Sequence, residues 1–150
     1  CCGYYGFIGL LFFIIGRMLP KKWFDYSAFP YKTLACEKDG KIYEKIAINK
    51  WQPKVPDMSR VFPKLMPKKR MVATDADTLL LMIRETCIAE FIHTILNICG
   101  LFGMYILPGF WGALFYAAYF LLGNLPFILI QRYNRPRLVR IYKKKRNMVK

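Results

Sequence analysis

The chain has 150 residues, enough for one compact domain, and is 55% hydrophobic and 17% aromatic while 24 Lys and Arg stand against 9 Asp and Glu. A disordered basic segment would lack that apolar content, and an ordinary soluble domain could not hide it. The apolar residues gather in long runs with the charges between them, so the net charge of +15 belongs to membrane topology rather than to nucleic-acid binding.

The first run covers residues 3–19 and is broken only by Arg17. It has the length of a short span, and residues preceding Cys1 are expected to complete it. A signal-peptide core is the other reading, but no small-x-small cleavage site follows. Residues 20–77 form a basic, proline-punctuated region. It opens with Lys21, Lys22, Trp23 and Phe24, a cationic and aromatic edge suited to lipid headgroups. Residues 41–51 place Ile42, Ile46 and Ala47 on one side of a helix that would lie on the membrane surface. A β-hairpin around Asp39-Gly40 is the rival reading. Pro53, Pro56, Pro63 and Pro67 then forbid a long regular element.

Thr74 can cap a helix whose first turn carries Asp75 and Asp77. Between Glu85 and Arg132 the sole charged or His side chains are Glu90 and His93. That stretch is too long for one span, and Gly100, Gly103, Pro108 and Gly109 divide it into spans at about 78–101 and about 110–131. A basic tail fills residues 132–150. Every Lys and Arg except Arg17 lies between Lys21 and Arg84 or from Arg132 onward. The positive-inside rule therefore predicts an all-α integral membrane protein with about three transmembrane helices. Both basic segments and the C-terminus are cytoplasmic, in a multi-pass arrangement in the cell membrane. The whole is read as a single membrane domain over residues 1–150. The five cysteines have no metal-type spacing and imply no disulfide framework.

An ionisable residue inside a span costs ~2.5–3.5 kcal/mol unless partnered. Thr86, Glu90, His93 and Asn97 recur at 4-3-4 spacing and form one polar stripe on an apolar helix. One reading is a polar zipper with Asn124 of the next span. The other is catalytic: Glu90 orients His93, which takes a proton from a hydroxyl. Glu-x-x-His also resembles a carboxylate metal motif, but the spans hold no second copy, and no metal is expected. Pro126 can kink the last span, leaving Asn124 to meet a freed carbonyl or a substrate. Arg132, Tyr133, Asn134, Arg135 and Arg137 lie where the chain leaves the bilayer, with Pro136 expected to turn it. Arginine forks there suit a phosphorylated acyl donor or a lipid headgroup. Lys50 and Trp51 precede Asp57, one of few acids in a cationic stretch and a candidate second carboxylate. There is no phosphate loop, nucleophile elbow or zinc spacing.

Lys50-Trp51 with Pro56-Asp57, Glu85 with Ala89-Glu90-x-x-His93, Asn124-x-Pro126 and Gln131-Arg-Tyr-Asn-Arg-Pro-Arg-Leu138 together resemble the glycosyl-4,4'-diaponeurosporenoate acyltransferase family, small bacterial membrane proteins of the staphyloxanthin-biosynthesis type. The resemblance covers roughly residues 40–140. It implies transfer of a fatty acyl group to a sugar hydroxyl of a membrane glycolipid, a glycosylated carotenoid among the candidates. No tightly bound cofactor is expected; acyl-CoA or another acyl donor serves as co-substrate. On this reading Asn124, Tyr133 or Asn134 stabilises the oxyanion. The expected partners are membrane lipids and the lipid or glycolipid substrate, and three spans bury so little that a homodimer is plausible. Two rival classes remain at this point: a small membrane methyltransferase or reductase acting on a lipid, and a non-catalytic lipid-binding subunit.

Overall fold

The structure, a computed structural model, describes residues 2–55 and 75–148. Among these, all regular structure is helical. Helix α1 (Cys2–Met18) is apolar except for Arg17 in its last turn and ends before Pro20, beyond which Lys21–Trp23 forms a 3-10 turn. Residues 24–34 lead to 3-10 turns at Ala35–Ile46, followed by the short helix α2 (Ile48–Trp51). Helix α3 (Ala76–Leu101) is the central element. A short turn of helix, α4 (Gly103–Ile106), precedes α5 (Phe110–Ala118), which runs through π-helical turns at Tyr119–Asn124 into α6 (Leu125–Met148). Ala76–Ile106 and Phe110–Met148 are each long and apolar enough to cross a membrane; α1 is apolar but shorter.

The three long elements pack antiparallel. At one end, Tyr4 donates to the Cys99 carbonyl (2.8 Å) and Tyr5 to the Gly100 carbonyl (3.3 Å). At the other, Lys21 pairs with Glu85 (2.7 Å). Between them Tyr5, Ile8 and Phe24 pack with Cys87, Ile88, Ile92 and Leu96. Helices α3 and α6 meet along a second cluster of Leu79, Ile83, Leu138 and Tyr142. Full burial of such side chains contributes about 1.5–3 kcal/mol each where the surroundings are aqueous. The turn between α3 and α5 needs Gly112: a Cβ there would stand 1.7 Å from the Leu107 carbonyl oxygen.

Three local expectations are corrected. Residues 41–51 do not form one surface helix: Lys38, Asp39 and Gly40 have φ of 47°, 55° and 89°, and Ala47 has 53°. Left-handed residues end a helix, and the segment instead folds onto α6, where Gly40 seats against Tyr133. The turn at Asp39-Gly40 is present, but no strand flanks it among the described residues. Pro136 does not turn the chain; α6 continues through it to Met148. A mid-helix proline removes one hydrogen bond, and burial of Tyr133, Arg135, Leu138 and Tyr142 on its two sides holds the helix together. Asp75, not Thr74, caps α3, its carboxylate accepting from the Thr78 amide (3.2 Å); Thr74 lies outside the described residues.

Candidate functional site

Two polar assemblies join α3 to α6. The first lies where α6 turns basic. Arg135, 2% exposed, donates from Nη2 to Glu90 Oε2 (2.5 Å) and to the Thr86 carbonyl (3.0 Å), from Nε to Thr86 Oγ1 (2.8 Å), and from Nη1 to the Tyr31 carbonyl (2.8 Å). Arg132 donates from Nη1 to Glu90 Oε1 (2.6 Å) and to the Pro30 carbonyl (3.1 Å). Its Nε and Nη2 reach Glu37 Oε1 (2.5 Å) and Oε2 (3.1 Å). Glu37 also accepts from the Leu34 amide (2.7 Å) and the Tyr43 hydroxyl. Two carboxylates and two guanidiniums therefore alternate in an unbroken chain: Glu37, Arg132, Glu90, Arg135. The set is nearly all buried, so removing one member would strand a charge, a loss of about 3–5 kcal/mol.

Burial alone would raise the Glu37 carboxyl, but the bonds from Arg132, Tyr43 and Leu34 outweigh it and hold Glu37 below its ordinary range. Burial and then the Glu37 carboxylate push Tyr43 up to about 12.

The second assembly sits further into the apolar part of the helix pair. His93 Nδ1 lies 2.9 Å from Asn124 Oδ1, and the ring stacks on Phe127 at 4.7 Å with a 6° interplanar angle. Asn124 is 2% exposed and gives its Nδ2 to the Tyr119 carbonyl (3.2 Å) within the π-helical turns. These turns lie beside Pro126, which has no amide proton to give. A carbonyl only accepts, so the atom Asn124 sends to Tyr119 is its nitrogen and the atom facing His93 is its oxygen. The proton of a neutral His93 is thereby assigned to Nδ1. Nε2 keeps its lone pair and has no hydrogen-bond partner among the described residues.

The expected Glu90–His93 hydrogen bond is not formed; both Glu90 oxygens are taken by arginine. The Thr86–Glu90–His93–Asn97 stripe is divided, Thr86 and Glu90 serving the arginines and His93 serving Asn124. Asn97 Oδ1 is buried without a hydrogen bond. Asn124 thus serves at once as the zipper partner of His93 and as the donor to a backbone carbonyl. Arg137 stacks over the Tyr133 ring (3.9 Å) and pairs with Glu44 (3.0 Å), so all three arginines expected to bind a donor already hold an acid. Tyr133 is buried; Asn134 is half-buried and its side chain makes no hydrogen bond among the described residues. Lys50 is exposed, and Trp51 donates only to the Ile46 carbonyl (3.0 Å), so neither joins the site. Asp57 lies outside the described residues. Glu37 was missed; it lies in a mixed stretch with Lys38, Asp39, Lys41 and Glu44, and nothing in that local pattern sets it apart. Among the described residues no three His, Cys, Asp or Glu side chains converge as metal ligands.

Fold and site define an all-helical protein with helices of membrane-crossing length, an ionic clamp at their basic end and an oriented imidazole in their apolar part. The family model for glycosyl-4,4'-diaponeurosporenoate acyltransferase matches residues 20–144. The protein of that name from Staphylococcus aureus strain N315 is 30% identical over 149 residues, covering 94% of this chain and 85% of that one. Its counterpart from strain Newman is 31% identical over 156 residues, covering 97% and 89%. No solved structure matches. The chain belongs to the glycosyl-4,4'-diaponeurosporenoate acyltransferase family, and with that to the acyl-transferring enzymes.

Proposed function

We propose that the protein transfers a fatty acyl group from an activated donor to a hydroxyl of a glycosylated carotenoid or related membrane glycolipid, with His93 as general base. The observation that carries this reading is the Asn124-fixed tautomer, which leaves His93 Nε2 as an unengaged base. The acceptor hydroxyl gives its proton to Nε2 while its oxygen attacks the acyl carbonyl. The carbon–leaving-group bond then breaks and the proton departs with the leaving group. Asn124 orients the imidazole, the part first assigned to Glu90. Glu90 keeps α3 and α6 in register.

The chain spans the membrane three times as a single domain, with both basic segments in the cytoplasm. Exposed Phe7 and Leu10 on α1, and Phe110, Trp111 and Leu122 after the hairpin, support outward lipid-facing surfaces. At 17 residues α1 measures about 26 Å, close to a ~30 Å hydrocarbon core. The donor approaches from the basic side and the acceptor lies in the bilayer. The relatives' names supply the acceptor class. Proteoliposomes holding the full chain, fed palmitoyl-coenzyme A and a glycosylated carotenoid, should form a product heavier by one acyl group. In lipids of cells expressing the protein, where methyl donors and reductants are present, a methyl or two-hydrogen increment would move the protein to another enzyme class. An unaltered lipid profile would leave it a binding subunit.

A further inference from the structure

We infer that the donor's phosphate groups are held in a groove between residues 26–33 and the second half of α6, by Lys32, Arg140 and Lys143. This deepens the acyl-transfer reading and rests on it. The groove has a volume of about 450 Å³, within the ~300–1,000 Å³ of small-molecule sites. Its walls include Tyr26, Lys32, Asp39, Arg135, Arg140 and Lys143.

Sequence alone put the donor at Arg132, Arg135 and Arg137, but those guanidiniums hold Glu37, Glu90 and Glu44. A phosphate there would have to displace a carboxylate. Lys32, Arg140 and Lys143 are exposed and form no ion pair among the described residues. Arg140 and Lys143, three residues apart, share a face of α6, and Lys32 comes to the same groove from the far-removed 26–33 segment. Asp39 is the one acid in the wall, so the lining stays cationic. Ordinary positive-inside charge, as at Lys144 and Arg146, needs no such convergence from two elements.

Arg135 belongs to both the groove wall and the clamp, so the groove adjoins the α3–α6 seam that leads to His93. From Arg140 back to Asn124 is about 24 Å along the helix at ~1.5 Å per residue. A donor anchored here by phosphate needs a flexible arm of comparable reach between phosphate and acyl carbonyl. A coenzyme A-type thioester has that arm; a phospholipid, whose ester lies close to its phosphate, has not.

The test uses the full chain in neutral detergent and three probes: coenzyme A, inorganic pyrophosphate and phosphatidylglycerol nanodiscs. Coenzyme A should bind, and pyrophosphate should compete with it. Binding should weaken about tenfold or more in Arg140→Ala/Lys143→Ala, and also in Lys32→Ala, with melting temperature unchanged. The equal-charge change Lys45→Ala/Lys54→Ala, both exposed and outside the groove lining, should leave it within about twofold, as screened surface charges would. In turnover the groove variants should raise donor KM and retain kcat. Equal weakening in both double variants, or no binding of coenzyme A by the parent protein, overturns the assignment. So does phosphatidylglycerol binding that depends on Arg140 and Lys143 while coenzyme A fails to bind. The two readings fail separately. Groove-dependent coenzyme A binding in a protein that acylates nothing removes the enzymatic reading and keeps the groove. Acylated product at unaltered donor KM does the reverse.

Discussion

The two polar assemblies on the α3–α6 seam are built from neighbouring residues, yet they are opposites. In the Glu37–Arg132–Glu90–Arg135 chain every carboxylate oxygen has a donor, and the guanidiniums also reach backbone carbonyls. The His93–Asn124 couple makes few bonds and leaves one ring nitrogen with its lone pair. A saturated network resists change and sets geometry; chemistry needs an unsatisfied valence. On the proposed reading the assembly with the most charge is the scaffold, and the quieter one is the reactive centre.

The sharpest break of this contrast is His93→Ala. Turnover should fall about 10²–10⁴-fold, the range of a positioned general base, with the melting temperature little changed. A stable variant with undiminished acyl transfer would remove His93 from the chemistry. Glu90→Ala should show the opposite pattern. Stranding Arg135, whose one acid is Glu90, while Arg132 keeps Glu37, should lose about 3–5 kcal/mol, read as a lowered melting midpoint in detergent, with any activity loss tracking the folded fraction. If Glu90→Ala melts like the parent but is inactive, the clamp has a chemical role after all. Asn124→Ala should lower kcat about tenfold, the worth of one orienting hydrogen bond, and leave acceptor KM unchanged.

Smaller effects refine the scaffold side. Gly40→Ala should destabilise by about 1–2 kcal/mol, because φ is 89° and the added Cβ would stand 3.2 Å from the Tyr133 carbonyl oxygen. Thermal melts test it against the mild Gly123→Ala, whose Cβ would make only ordinary contacts. The clamp should also have two pH edges. Glu37 is depressed in the fold, so its contribution is present above its ordinary carboxylate range and fades as acid reaches the lowered value. Tyr43 is raised to about 12, so its share is full below its ordinary value near 10 and is lost between there and about 12. Stability should plateau between these edges, and Tyr43→Phe should shift the alkaline one. A melting profile that ignores both edges would deny the Glu37–Tyr43 link.

Much of this was legible in the residues. Hydropathy located α1, α3 and the start of the last long helix to within a few positions, because an apolar run depends on its own composition; it missed that the last helix continues past residue 131 to Met148. The 4-3-4 stripe identified Thr86, Glu90 and His93 as inward-facing, since helix periodicity is local. Pro126 with Asn124 marked the altered backbone before Leu125. What failed was partner choice. Glu90 and His93 lie three residues apart and read as a couple, yet Glu90 met two arginines 42 and 45 positions away. Residues 41–51 had a helical pattern, but the seat of Gly40 on Tyr133 and the pull of Arg132 on Glu37 outweighed it.

The sequence by itself determined the helical class, the apolar lengths, the segregation of charge and the family, all properties that add up along the chain. Only the tertiary structure decided which acid neutralises which arginine, which nitrogen of His93 stays basic and which cations remain for a ligand. Those depend on side chains brought within about 3 Å from segments up to 95 residues apart, and no local pattern encodes that distance.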